Sequence, residues 1–88
     1  MRVKLRFDRR LHVSPPVEIF DLTGEVAEGK SLELLFEAID GSSGRWFVLT
    51  MSDVTYINSA GFGELAELHM RCDGKGKSLH FSDLSRKV

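Results

Sequence analysis

Residues 46–72 read WFVLTMSDVTYINSAGFGELAELHMRC, and the period of the pattern changes part-way along. Trp46 to Met51 is an uninterrupted apolar run. Ser52-Asp53 is a polar break, after which Val54, Tyr56 and Ile57 resume the run before the small residues Asn58, Ser59, Ala60 and Gly61. A short continuous apolar run bounded by turn signals predicts a strand buried on both faces, as in the middle of an α/β sheet. A helical pattern follows at once, so the Asn-Ser-Ala-Gly step is a strand-to-helix corner that holds a hydroxyl beside the positive end of a helix.

In that helix Gly61, Leu65, Leu68 and Cys72 share one face. Phe62, Ala66, His69 and Met70 lie on the adjoining face, and Glu64, Glu67 and Arg71 point away. The apolar arc is wider than packing on a sheet requires. The extra stripe either lies under a loop or terminal segment, or forms an exposed hydrophobic patch beside Ser59 suited to docking a protein. Beyond the helix, residues 73–77 form a Gly-Lys turn, and Leu79 and Phe81 alternate with Ser78, His80 and Ser82 in a short strand. The tail from Asp83 to Val88 could only begin another element.

Upstream of the corner, Val3, Leu5 and Phe7 alternate with Lys4, Arg6 and Asp8, the period of a half-exposed strand with the charged face of an edge. Arg9 to Pro16 reads as a loop, because Ser14-Pro15-Pro16 lacks two amide donors. Val17 to Val26 reads as a second strand, with Gly24 as a bulge or turn near its end. Leu32, Leu35, Phe36 and Ile39 then fall on one side of a helix capped by Ser31, which Gly41-Ser42-Ser43-Gly44 terminates. Two strands, a helix, a strand, a helix and a strand imply right-handed crossovers. The expected fold is α/β, a mainly parallel, mixed four-stranded sheet with an antiparallel edge and helices packed on it.

At 88 residues the chain has room for one domain, spanning 1–88. With 42% hydrophobic and 28% charged residues and a net charge of −1, it reads as a globular protein with no electrostatic case for nucleic acid or an acidic membrane surface. The lone Cys72 makes no internal disulfide and reads as a small buried hydrophobe. No stretch has the length of a signal peptide core or a membrane span, so a cytoplasmic setting is expected.

Tests for chemistry come out negative. His12, His69 and His80 lie in different elements with no metal-ligand spacing, so neither a metal nor a cofactor is expected. Gly74-Lys75-Gly76-Lys77 lacks the order of a phosphate loop, and Gly61-Phe62-Gly63 lacks the third glycine of a dinucleotide fingerprint. Ser59 has no nucleophile elbow and no histidine tied to it, so no enzyme is expected. Two roles remain for Ser59. It caps the helix amides, or it accepts a phosphate that those amides and the helix dipole favour.

These residues resemble a known family. From Phe47 to Leu84, the strand, Val54-Thr55-Tyr56-Ile57, the corner Asn58-Ser59-Ala60-Gly61-Phe62-Gly63, the helix, the Gly-Lys turn, the last strand and Asp83-Leu84 are similar to the STAS domain of anti-sigma factor antagonists. Leu22-Thr23-Gly24-Glu25-Val26 resembles that family's strand end as well. In the family the corner commonly reads Asp-Ser-Ser-Gly, so the resemblance makes Ser59 the phosphorylated serine, with Asn58 in the acidic position, Ala60 at the second serine and Gly61 at the glycine. It implies a partner-switching regulator of transcription in a bacterial cytoplasm. The unphosphorylated form binds a GHKL-type serine kinase that is itself the anti-sigma factor, phosphorylation ends the binding, and a phosphatase restores it. The implied docking surface is Asn58, Ser59, Ala60, Gly61 and Phe62, continued by Ala66, His69 and Met70. STAS modules also resemble scaffold subunits of lipid-transport ABC complexes and sensory assemblies, which need no phosphorylation.

The chain departs from the family twice. Asn58 replaces the usual acid, and the helical part that follows the equivalent of Asp83-Leu84-Ser85 is short or missing. The resemblance therefore implies either a truncated domain or a sheet face covered by a partner or by a second copy, a homodimer.

Overall fold

The computed structural model of the chain describes residues 4–27 and 30–82. Six elements follow in order: β1 (Arg6–Val13), β2 (Pro16–Val26), α1 (Lys30–Asp40), β3 (Trp46–Ile57), α2 (Ser59–Gly74) and β4 (Ser78–Ser82). The strands form one sheet in the order β1-β2-β3-β4. β1 pairs antiparallel with β2, while β2 with β3 and β3 with β4 pair in parallel. Both crossovers join neighbouring parallel strands and advance in the same direction, and both helices pack on one face of the sheet, as crossovers of the usual right hand require.

A single hydrophobic core lies between that face and the helices. Phe20, Leu22 and Val26 of β2 and Phe47, Leu49 and Met51 of β3 meet Leu32, Leu35 and Ile39 of α1 and Leu65, Leu68 and Cys72 of α2. Desolvation in this core raises the pKa of the Cys72 thiol. The opposite face carries Ile19, Asp21, Val48 and Thr50, all half-buried. The expectation that β3 is buried on both faces is thereby corrected: with no described helix on the second face, its burial alternates along the strand from Phe47 to Met51.

Two further readings of the strands change. The Ser52-Asp53 break does not interrupt β3. Between the pairs Asp21↔Thr50 and Thr23↔Asp53, and again between Gly24↔Val54 and Glu25↔Tyr56, β3 takes one residue more than β2, so the polar dipeptide sits in a bulged part of a continuous strand. Gly24, read as a bulge residue, lies at this irregularity with φ of 103°.

Arg9 to Val13 is strand, not loop. The ladder between β1 and β2 runs to the pair Val13↔Pro16, leaving only Ser14-Pro15 as the hairpin turn. Pro16 is tolerated because it is the first residue of its strand. The pairing is carried by charge across the strands. Arg9 binds Glu18 through Nε at 2.8 Å and lies over the Phe20 ring, while Arg10 Nε meets Asp21 Oδ2 at 2.7 Å. Lys4 makes an isolated bridge to Glu25, and Val3, read as the strand's start, lies outside the described residues.

α1 begins at Lys30, so Ser31 is in its first turn, and the residue before Lys30 lies outside the described residues. The other end of α1 is tied to the end of α2. Arg71, read as pointing away, donates to Asp40 at 2.6 Å and lies over the Phe36 ring, and Lys75 Nζ donates to Asp40 at 3.0 Å. Lys77 Nζ donates to the Ile39 and Ser42 carbonyls at 2.7 and 2.9 Å, serving acceptors that a helix end leaves unsatisfied.

Hydrogen bonding from Lys75, with the nearby charges of Arg71, Lys75 and Lys77, lowers the Asp40 pKa against the opposing effect of desolvation. A carboxylate with a lowered folded-state pKa adds stability above its unfolded pKa, near 3.9, and loses that contribution as pH falls through the folded value. Asp40→Asn is therefore expected to cost about 0.5–1 kcal/mol at neutral pH, since the cluster is part-exposed. The difference from the parent should shrink steadily as pH falls below the unfolded carboxylate range, which urea titrations at pH 7 and at a series of lower pH values would show.

Candidate functional site: the strand-to-helix corner and its apolar flank

The corner is held by Asn58. Its backbone is extended, its N–H donates to the Val26 carbonyl at 3.3 Å, and its carbonyl accepts from Phe62 N–H at 2.9 Å. Its side-chain Oδ1 accepts from Gly61 N–H at 2.7 Å. These are the contacts of an N-cap, and they correct the reading of Ser59 as the capping residue. Asn caps as well as Ser does and here precedes it, so the hydroxyl one residue later is released from that duty.

Ser59 is the first residue of α2 and is exposed, as is Ala60. Among the described residues the Ser59 hydroxyl and the Ser59 and Ala60 amides have no hydrogen-bond partner. The first turn of α2 holds no acidic residue. An oxyanion on Ser59 would meet free amides and the positive end of the helix dipole, with no carboxylate in that turn to oppose it.

Gly61 brings α2 against the end of β2. A Cβ built there would lie 2.2 Å from the Val26 carbonyl oxygen, closer than real contacts allow. The close approach sets the position of Ser59 at the carboxyl ends of β2 and β3, where open α/β sheets commonly place their binding residues.

Phe62, Ala66, His69 and Met70 all border one groove of about 390 Å³ on the outer flank of α2. Phe62 is 57% and Met70 71% exposed. Met51, Ile57 and Phe81 complete the groove from the sheet, and sequence reasoning missed them as site residues. Their signal was the inward parity of Met51 and Phe81, but which helix flank they meet depends on how α2 crosses the sheet. His69 stacks on Phe81 with ring centroids 6.3 Å apart and lies 3.7 Å from Asp73. Glu64, read as pointing away, is half-buried.

A second, more open cavity of about 650 Å³ lies at the hairpin end, lined in part by Arg9, Glu18, Ser42 and Gly44. Its polar groups are engaged with one another: Ser42 Oγ donates to Glu18 and accepts from Gly44 N–H at 3.0 Å. His12 Nδ1 lies 3.2 Å from the Pro15 carbonyl oxygen. Among the described residues no group of three or more His, Cys, Asp or Glu side chains could hold a metal ion, and no helix is long and apolar enough to cross a membrane.

The fold has clear relatives among solved structures. An anti-sigma-factor antagonist STAS domain from Rhodobacter sphaeroides superposes with a TM-score of 0.69, covering 88% of this chain and 84% of that one, at 14% identity. This chain has the STAS fold. The structure of Mglu also superposes with a TM-score of 0.69, at 24% identity over 80% of this chain. The present chain spans only 18% of the length of that protein, so there the similar part belongs to a much longer chain. No family model and no curated protein matches the sequence.

Proposed function

We propose that this STAS-fold chain, a single domain over residues 1–88, is a partner-switching regulator of the anti-sigma factor antagonist type. It binds a kinase-type anti-sigma factor through the Ser59 corner and the adjoining groove, and it is released when Ser59 is phosphorylated. In this reading the chain works by binding and release, in the cytoplasm, and a phosphatase resets it.

One observation carries the reading. An exposed serine hydroxyl, freed from capping by Asn58, stands at the start of α2 beside a groove lined almost wholly by apolar side chains. Phosphorylation adds about −1.5 to −2 charges at a helix end that tolerates them. Its effect therefore falls on what docks against the corner, where a dianion at the edge of an apolar interface must be desolvated. Asn58 in place of an acid supports the same logic, because it keeps the cap and removes a negative charge next to the phosphate.

The expected result is that Ser59→Asp weakens partner binding about tenfold or more, or about 1.4 kcal/mol. Ser59→Ala should bind constitutively. Phe62→Ala should also weaken binding, with little loss of stability because the ring is exposed. Pull-down from the native cell with these three variants and the parent, combined with thermal unfolding of each, separates the effects. A Phe62→Ala protein that unfolds far below the parent would put the ring in a structural role and remove the docking patch. The alternative is a non-phosphorylated scaffold module of a transport or sensory assembly, in which the fold serves as one part of a larger whole, as a similar fold is part of a longer chain in Mglu. That reading predicts the same partners for Ser59→Asp and Ser59→Ala.

A further inference from the structure

The two edges of the sheet differ. β1 (RFDRRLHV) carries charges along most of its length, the usual protection of an exposed edge. β4 (SLHFS) forms the other edge with no described strand on its outer side, and it has no Lys, Arg, Asp, Glu or Pro. It is also nearly palindromic about His80, with Ser78 matching Ser82 and Leu79 matching Phe81.

Backbone direction sets which groups face outward. The Ser78 N–H donates inward to the Arg45 carbonyl at 2.7 Å. N–H and C=O of one strand residue point to the same side and alternate along the strand, so Ser78, His80 and Ser82 face β3. The N–H and C=O of Leu79 and Phe81 therefore turn away from β3, toward the side of β4 that no described strand pairs with.

We propose that β4 is a self-association edge, pairing antiparallel with β4 of a second copy about a two-fold axis at His80. This register sets Leu79 opposite the partner's Phe81, and Phe81 opposite the partner's Leu79. Those are the residues whose backbone groups face outward, so each pair exchanges two hydrogen bonds. His80 meets its own copy in the close, non-hydrogen-bonded position between them. Leu79 and Phe81 keep their side chains on the core face, and the four-stranded sheet continues into the second copy. The groove is lined by Phe81 and by the α2 flank, so the two-fold brings the exposed Phe62 and Met70 of both copies toward one another. The inference rests on β4 and not on the regulatory reading, although both use the same flank, and self-association would then compete with partner docking.

Cysteine pairing tests the register with the protein alone. Native Cys72 is 2% exposed and can be retained. In a non-hydrogen-bonded antiparallel pair the facing Cα atoms stand about 4.5 Å apart, within disulfide range. His80→Cys should give mostly covalent dimer under mild oxidation. Ser78→Cys and Ser82→Cys should each stay monomeric on the gel but cross-link when mixed, and Asp8→Cys on the other edge should not cross-link. Sedimentation of the unmodified protein should show a concentration-dependent dimer that His80→Glu weakens at least tenfold. A monomer at every concentration, or His80→Cys cross-linking no faster than Asp8→Cys, would overturn the proposal. Cross-linking of Ser78→Cys with itself would overturn the register.

Discussion

Gly61→Ala is expected to lower stability by about 3 kcal/mol, the upper part of the range for forcing extra atoms into a packed site. The added methyl would stand 2.2 Å from the Val26 carbonyl oxygen and 2.7 Å from its carbon, and both are backbone atoms that no rotamer change can move. Relief requires the start of α2 to move off the end of β2. That motion pulls on the Gly61 N–H bond to Asn58 and on the Asn58 N–H bond to Val26, so the corner loses its cap along with its contact. Gly63 is the control. A methyl added there would meet nothing within 4 Å, and Gly63→Ala should gain about 0.5–1 kcal/mol from helix propensity. Thermal or urea unfolding of the two variants beside the parent should move in opposite directions.

Phe47→Ala should cost about 3–5 kcal/mol, the range for truncating a buried aromatic side chain. The Phe47 ring is fully buried on β3, faces Phe20 with centroids 6.4 Å apart, and has Lys77 Nζ 5.4 Å from its centre on the way to the α1 carbonyls. Small domains hold only about 5–15 kcal/mol in total, so the variant is expected to be largely unfolded or to melt tens of degrees lower. Circular dichroism melting would measure it. A loss under about 1 kcal/mol would contradict the placement of Phe47 at the centre of the core.

How well each part could be read from sequence follows from the range of its interactions. The apolar run from Trp46 and the i, i+3, i+4 spacing of Leu32, Leu35 and Ile39 are local signals. With the right-handed crossover rule they fix the β-β-α-β-α-β order and the mixed sheet. Arg9 to Val13 was read as loop from the missing donors of Ser14-Pro15-Pro16, and Arg9 and Arg10, which break the apolar alternation, gave no strand signal against it. They are held by Glu18 and Asp21 on a neighbouring strand, partners that one-dimensional patterning does not reveal. The same holds for Ser52-Asp53, whose polarity suggested a break where the sheet absorbs it as a bulge.

At the corner, Asn58 and Ser59 are both good capping residues by type, and only the backbone geometry decides between them. That decision matters for function, because a serine that does not cap is free to be modified. The helix side of the groove was visible from helical spacing, while Met51, Ile57 and Phe81 enter it through the sheet. One face of α2 thus carries a short-range code and the other half of the site a long-range one.

Whether Ser59 is a phosphate-controlled docking switch can be read from intact-mass measurement with fragment mapping of the protein isolated from its native cell. The expected result is a fraction carrying one phosphate on Ser59, with partner protein enriched only in the unphosphorylated fraction. No phosphate on Ser59 under any growth condition, with the same partners bound throughout, would contradict it and leave the corner as a rigid part of a scaffold.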